Sequence, residues 1–170
     1  RCDVTSRADV DAAVATAVER GGSLDVLVTC AGIIRDNLLF RISEDDWTAV
    51  IDTHLRGSFN AVQAAQKHMV EQRSGKMVLI SSTSALGNRG KTNYATAKAG
   101  LQGMAKTLAI ELGMRQIADD VLTPVRAPVG QHVDEIRTHL AGRLDRLLAL
   151  GVEVEDRRRP LLELTSVLRR

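Results

Sequence analysis

Tyr94 and Lys98 stand four residues apart in Tyr94-Ala-Thr-Ala-Lys98, and Ser81 lies thirteen residues before the tyrosine. Positions i and i+4 share one face of a helix, so the phenol and the ammonium can point at one place. A phenol, with a reference pKa of about 10, needs help to exchange a proton near neutral pH. A neighbouring ammonium supplies that help, because an opposite charge favours the phenolate. A serine at the end of the preceding strand can hydrogen-bond a substrate oxygen beside the phenol. The three groups together can move a proton to or from a carbonyl or alcohol oxygen.

The elements that must position them alternate between helix and strand. Ala8 to Arg20 reads as a helix stopped by Gly21-Gly22. Leu24 to Thr29 reads as a buried strand, and Lys76 to Ser81 as another. Ser43-Glu-Asp-Asp46 has the form of a capping box ahead of Trp47. Long helices are expected from about Thr53 to Gln72 and from about Asn93 to Gly113. Such alternation predicts an α/β fold, a partial doubly wound parallel sheet covered on both faces.

Composition narrows the classes. With 170 residues and 44 % hydrophobic content the chain can build one core, and a net charge of +2 implies no strong field for nucleic acid. The basic clusters Arg157-Arg158-Arg159 and Arg169-Arg170 lack interleaved aromatics and read as solvated surface. Cys2 and Cys30 make neither a disulfide framework nor a metal spacing, so no metal is expected and the compartment reads as reducing, with the cytoplasm as default. No run approaches the length of a membrane span, and no membrane or nucleic-acid partner is expected.

The motif order resembles the short-chain dehydrogenase/reductase family over residues 1 to 113. Asp3-Val4 resembles the pair that follows the family's third strand and meets the adenine. Leu24 to Gly32 resembles the strand leading into Asn-Asn-Ala-Gly, with Thr29-Cys30 in place of the two asparagines. Ile51-Asp-Thr-His54-Leu-Arg-Gly57-Ser-Phe59 resembles the helix carrying Asn-x-x-Gly-x-Phe. Within the family, Ala31-Gly-Ile-Ile-Arg35-Asp36-Asn37-Leu38-Leu39 and Gly87-Asn-Arg-Gly90-Lys-Thr-Asn93-Tyr94 are most similar to bacterial 3-oxoacyl-(acyl carrier protein) reductases; related 3-hydroxyacyl-CoA and hydroxysteroid dehydrogenases share much of the pattern.

The resemblance implies reversible hydride transfer between a nicotinamide cofactor and a 3-oxo/3-hydroxyacyl thioester or another ketone, with NADPH ahead of NADH. It implies Tyr94 as general acid, Lys98 as the group that favours the phenolate and binds the nicotinamide ribose, and Ser81 as the carbonyl anchor. Ser82 is the alternative anchor. His54 takes the place of a helix asparagine whose main-chain carbonyl holds a relay water; a residue that only fills a helix kink is the competing reading. Asp3, Val4, Cys30, Ala31, Gly32, Tyr94 and Lys98 would meet the cofactor. The resemblance further implies a homo-oligomer joined through the helices at 53–72 and 93–113, with Ala61, Ala64, Ala65, Ala97, Ala99, Gly100, Gly103 and Ala105 permitting close approach.

Residues 114–170 read differently. They hold ten arginines and no lysine, whereas all five lysines precede Gly113. Neither a Gly-x-x-x-Gly-x-Gly turn nor a Pro-Gly dipeptide occurs in the sequence. The tail is expected to be mainly helical, with Val133, Ile136, Leu140, Leu144, Leu147 and Leu148 as one stripe and a second helix from Pro160. A frame-shifted or rearranged coding region is the favoured explanation, ahead of a diverged module, an altered family C-terminus or an excerpt of a longer product. The expectation for the chain as written is therefore little or no reductase activity despite its Ser-Tyr-Lys set, and a non-catalytic remnant or subunit-interaction module is the reading from another class.

Overall fold

Val26–Thr29 (β1) and Lys76–Ile80 (β2) pair in parallel, with Val26 opposite Lys76 and Thr29 opposite Leu79. In the computed structural model, which describes residues 1–113, 118–122 and 147–150, Ala118–Leu122 (β3) adds beside β2 and Leu147–Leu150 (β4) beside β1. All pairings are parallel and the order is β3-β2-β1-β4. The chain therefore moves outward from β1 through β2 to β3 and then returns to the other side of β1, the winding of a partial doubly wound sheet.

The helices start where local chemistry says they should. Arg7–Gly21 (α1) is capped by the Ser6 hydroxyl, which accepts from the Asp9 N–H at 3.3 Å, and it ends at Gly22 with φ 73°. Glu44–Ile51 (α2) is capped by Ser43, which accepts from Asp46 N–H at 3.1 Å; Glu44, Asp45 and Asp46 fill its first turn and complement the positive end of the helix. The long helix expected from Thr53 differs in one respect. Chain from Glu44 to Gln72 runs without a break: α2 passes through a π-turn at Asp52–Arg56 into Gly57–Gln72 (α3). A π-turn widens the helix by one residue and commonly marks a functional position. It is the element that carries His54. Thr92–Gly113 (α4) follows a short 3-10 turn at Thr83–Leu86 and leads to β3.

The core lies between the sheet and these helices. Leu27, Met77 and Leu79 are fully buried from the sheet, against Ala61, Ala65, Met69, Leu101 and Ala105 from α3 and α4 and Val10 and Val14 from α1. Burying each large aliphatic side chain contributes about 1.5–3 kcal/mol. Among the described residues, α3 and α4 pack on one face of the sheet, while β1 buries Val26 on one of its faces and Leu27 and Thr29 on the other. Along β2 Met77 and Leu79 are buried, whereas Lys76, Val78 and Ile80 are only half-buried. The reason is directional: β1-to-β2 and β2-to-β3 step the same way along the sheet, so right-handed crossovers place α3 and α4 on one face.

The tail departs from its sequence reading as well. Leu147 and Leu148, expected on a helical stripe, lie on β4. Leu147–Leu150 pairs with the Val26–Thr29 backbone, and a strand beside β1 satisfies hydrogen bonds that a helix there would leave open. Val133, Ile136, Leu140, Leu144 and the helix expected from Pro160 lie outside the described residues. No helix among the described residues is long and apolar enough to cross a membrane.

Candidate active site

Ligand sites in open parallel sheets form beyond the C-terminal ends of the strands, next to the point where the winding reverses. Here that place is the end of β1, followed by Cys30-Ala31-Gly32, and the end of β2, followed by Ser81. The first turn of α4 brings Tyr94 and Lys98 to the same ends. Asn93 fixes that approach: fully buried, it donates from Nδ2 to the Arg35 carbonyl at 2.9 Å, and its Oδ1 accepts from Tyr94 N–H at 2.8 Å.

Tyr94 is surrounded as the i, i+4 spacing requires. The Lys98 ammonium lies 5.6 Å from its ring centre, and the His54 ring meets it edge-on at 5.2 Å and 88°. Lys98 is buried, and its Nζ donates to the Ile80 carbonyl at 2.7 Å. Burial lowers its pKa to about 8, with Cys30 acting weakly the other way. Cys30 is a free thiol; burial pushes it up and the Lys98 charge opposes that, so it stays protonated at neutral pH.

Ser81 joins the cluster through the backbone. Its hydroxyl donates to the Lys98 carbonyl at 2.8 Å and accepts from Gln102 Nε2 at 3.3 Å. Its proton is thus engaged by α4 and must turn to reach a substrate oxygen. Gln102 escaped the sequence reading, although it sits one turn beyond Lys98 on the same helix face. Ser82, the alternative anchor, is occupied: its hydroxyl caps the 3-10 turn by accepting from Ser84 N–H at 3.1 Å.

His54 is 3 % exposed and bonds the Ile33 backbone. Nε2 lies 2.9 Å from the Ile33 carbonyl and 3.3 Å from the Ile33 N–H; the shorter contact assigns a proton to Nε2, which donates to the carbonyl. Nδ1 is buried without a partner. A protonated imidazole would leave an N–H orphaned there. Burial lowers its pKa, the bond to Ile33 raises it and the Lys98 charge lowers it, with a net shift below 6.5. The unfolded chain therefore takes up the His54 proton first as pH falls. Stability is full above about 6.5 and is lost as pH falls towards the folded-state value. His54→Asn is expected to flatten this acid limb in denaturant melts at pH 7 and pH 5. An unchanged limb would show that His54 does not titrate on unfolding.

Gly32 makes room for that ring. A Cβ there would come within 2.5 Å of His54 Cε1, and the imidazole is pinned between Ile33 and Tyr94. Gly32→Ala is expected to cost about 1–3 kcal/mol in a chemical melt, the range of overpacked cores.

The remaining candidates for cofactor contact lie further out. Val4 is 8 % exposed and packs on Gly57, where an added Cβ would meet its Cγ2 at 2.7 Å. Asp3 uses Oδ1 locally, accepting from Thr5 N–H at 2.9 Å and Thr5 Oγ1 at 2.8 Å. Val4, Thr29, Ala31, Thr53, Gly57, Ser58 and Ala61 line a small cavity, and Thr29 Oγ1 is buried without a partner. A nicotinamide dinucleotide fits this donor set at its nicotinamide end. Lys98 Nζ carries N–H groups beyond the one given to Ile80, and both it and the Tyr94 hydroxyl can bond ribose hydroxyls.

A parallel α/β sheet that places Tyr94, Lys98 and Ser81 at its C-terminal strand ends has the build of a Rossmann-type domain. The chain belongs to the short-chain dehydrogenase family, whose family model, "short chain dehydrogenase", matches residues 1–147. That match continues past Gly113, through β3 to the start of β4. The chain is 43 % identical over 150 residues to the short-chain reductase protein NovJ of Streptomyces niveus, covering 87 % of this chain and 56 % of that protein. It is also 43 % identical over 136 residues to the 3-oxoacyl-(acyl-carrier-protein) reductase FabG of Thermotoga maritima, covering 78 % and 55 %. The structure resembles a gluconate 5-dehydrogenase from Burkholderia cenocepacia in complex with NADP and tartrate, with TM-score 0.69 and 32 % identity over 71 % of this chain and 48 % of that one. The chain thus spans about half the length of the relatives it matches.

Proposed function

We propose that the site interconverts a ketone and an alcohol by hydride transfer, acting on 3-oxoacyl and 3-hydroxyacyl thioesters with NADPH ahead of NADH. The observation that carries this reading is the half-buried Tyr94 phenol set beside the buried Lys98 ammonium at the C-terminal strand ends. The likeness to an acyl reductase supports the substrate class, and a structural neighbour holding NADP supports the cofactor.

The nicotinamide supplies the hydride when bound. Tyr94 gives its hydroxyl proton to the carbonyl oxygen as that oxygen gains charge, and Ser81 donates a hydrogen bond to the same oxygen after releasing the Lys98 carbonyl. Lys98 holds the ribose and steadies the phenolate left on Tyr94. His54 locks the Ile33 backbone and closes one edge of the phenol, which keeps the ring in line. Asp3, Val4, Cys30, Ala31 and Gly32 form the wall toward the adenine end.

Assembly into homo-oligomers through α3 and α4 belongs to the same reading and is supported by exposed Phe59 and Ile110 on those helices. Of the small residues named for close approach, Ala61, Ala64, Ala65, Ala97 and Ala105 are buried inside the chain's own core and Gly100 packs on Leu55. Ala99 and Gly103 are exposed and available to a second copy.

The test is a single-turnover assay with protein in excess over acetoacetyl thioester and each reduced nicotinamide, so that weak cofactor binding does not hide the chemistry. Thioester-dependent oxidation of the cofactor that depends on Tyr94 is the expected result. Conversion of no ketone or alcohol with either cofactor would overturn the reading.

A further inference from the structure

Gln102 is held against Ser81, and the proposed mechanism gives it nothing to do. The end of β2 is tied to α4 through side chains. Lys98 Nζ donates to the Ile80 carbonyl at 2.7 Å, the Ser81 hydroxyl donates to the Lys98 carbonyl at 2.8 Å, and Gln102 Nε2 donates to Ser81 Oγ at 3.3 Å. Tyr94, Lys98 and Gln102 stand at i, i+4 and i+8 on α4, so the row that supplies the phenol and the ammonium also supplies this amide. The directions of these bonds follow from the protons available. A serine hydroxyl has one hydrogen and two lone pairs. Ser81, 5 % exposed, gives its hydrogen to the Lys98 carbonyl, so its oxygen accepts from Gln102. The amide therefore grips the oxygen and leaves the hydrogen able to change partner.

We propose that Gln102 is a positioning residue that holds the Ser81 oxygen in place while its hydrogen turns from the Lys98 carbonyl to a substrate oxygen. This rests on Ser81 being the carbonyl anchor of the proposed reaction. Once the hydrogen leaves Lys98, the bond from Gln102 is the side-chain tether that remains. Without it Ser81 is free to enter the other staggered rotamers, which carry Oγ to different places. The amide has a second effect. A hydroxyl that accepts a hydrogen bond becomes a stronger donor, and the gain is larger against an oxygen that is acquiring negative charge than against a neutral carbonyl. The bond thus favours the transition state over the bound ketone. Both effects pass through Ser81 alone.

The parent chain, Gln102→Met, Ser81→Ala and the double variant test this. Methionine is unbranched and flexible like glutamine but has no N–H to donate. In single-turnover reduction of an acetoacetyl thioester by NADPH, Gln102→Met is expected to lower the maximal rate by about two- to tenfold, the worth of one neutral hydrogen bond. The thioester concentration that gives half of that rate is expected to stay unchanged. In the Ser81→Ala background the same substitution is expected to change nothing, whereas a residue that only packs gives the same loss in both backgrounds. Denaturant melts add a readout that needs neither cofactor nor substrate: the two substitutions are expected to cost less together than the sum of their separate costs. A parent that reduces no ketone overturns the reading of the reaction, and this proposal with it. With an active parent, the proposal alone is overturned by a Gln102→Met rate equal to the parent's, by an equal loss in the Ser81→Ala background, or by additive costs in the melts. Should Gln102→Met not fold, Gln102→Leu takes its place under the same criteria. Should Ser81→Ala be too slow to time, the rate loss at unchanged half-saturation and the melts decide.

Discussion

Tyr94→Phe is expected to lower kcat/KM for ketone reduction by about a hundred- to ten-thousand-fold, the usual span of a lost general acid. The substitution deletes one oxygen. The ring keeps its edge contact with His54 and its place beside Lys91 and Lys98, and Asn93 still holds the first turn of α4 through the main chain. Fold and stability are thus expected to stay close to those of the parent, so the loss reports on chemistry. Single-turnover rates measured on both proteins at one cofactor concentration test the prediction. A loss smaller than about tenfold would remove Tyr94 from the proton transfer.

Much of this site is legible in the amino-acid sequence. The i, i+4 pair works because a helix face is a local property, and the structure places Lys98 against the Tyr94 ring as the spacing requires. Ser43 and the Gly21-Gly22 stop are legible for the same reason: caps depend on a few adjacent residues. What the sequence hides is set by contacts between distant segments. Nothing near Gly32 in sequence announces that His54 will sit on it, twenty-two positions later, and the π-turn that delivers the ring has no local sequence mark. The Lys91–Asp36 pair belongs to the same class, since it becomes visible only when loops from two strands converge, and the Gln102–Ser81 contact only when α4 packs on the end of β2. That α3 and α4 share one face of the sheet follows from the direction of successive crossovers, which periodicity along one strand cannot report. Leu147 and Leu148 mislead because a short apolar run fits a helix stripe and a buried strand equally well, and pairing with β1 decides between them.

Lys98→Met should separate function from stability more sharply than any other change. On the functional side it removes the buried cation to which the proposed mechanism assigns the Tyr94 phenolate and the ribose. A charge-assisted hydrogen bond contributes about 1.5–3 kcal/mol, so kcat/KM is expected to fall by about ten- to a hundredfold. On the stability side the sign reverses. Burial holds the folded-state pKa at about 8, against 10.5 for an ordinary lysine. Below about 8 both folded and unfolded chains carry the proton, and the folded chain bears the full cost of a buried ammonium. Between about 8 and 10.5 the folded chain has released the proton while the unfolded chain retains it, so parent stability rises with pH across that window. Methionine fills nearly the same volume without charge. It leaves the Ile80 carbonyl unpaired, which offsets part of the gain at about 1 kcal/mol. The variant is expected to be more stable than the parent by about 1–2 kcal/mol at pH 7 and to lack the rise towards pH 10. Denaturant melts at pH 7, 8.5 and 10 measure both features. A destabilised variant at pH 7, or a parent curve that is flat in this window, would mean that the Lys98 ammonium is not held at a cost, and that the site does not trade stability for a charge beside its phenol.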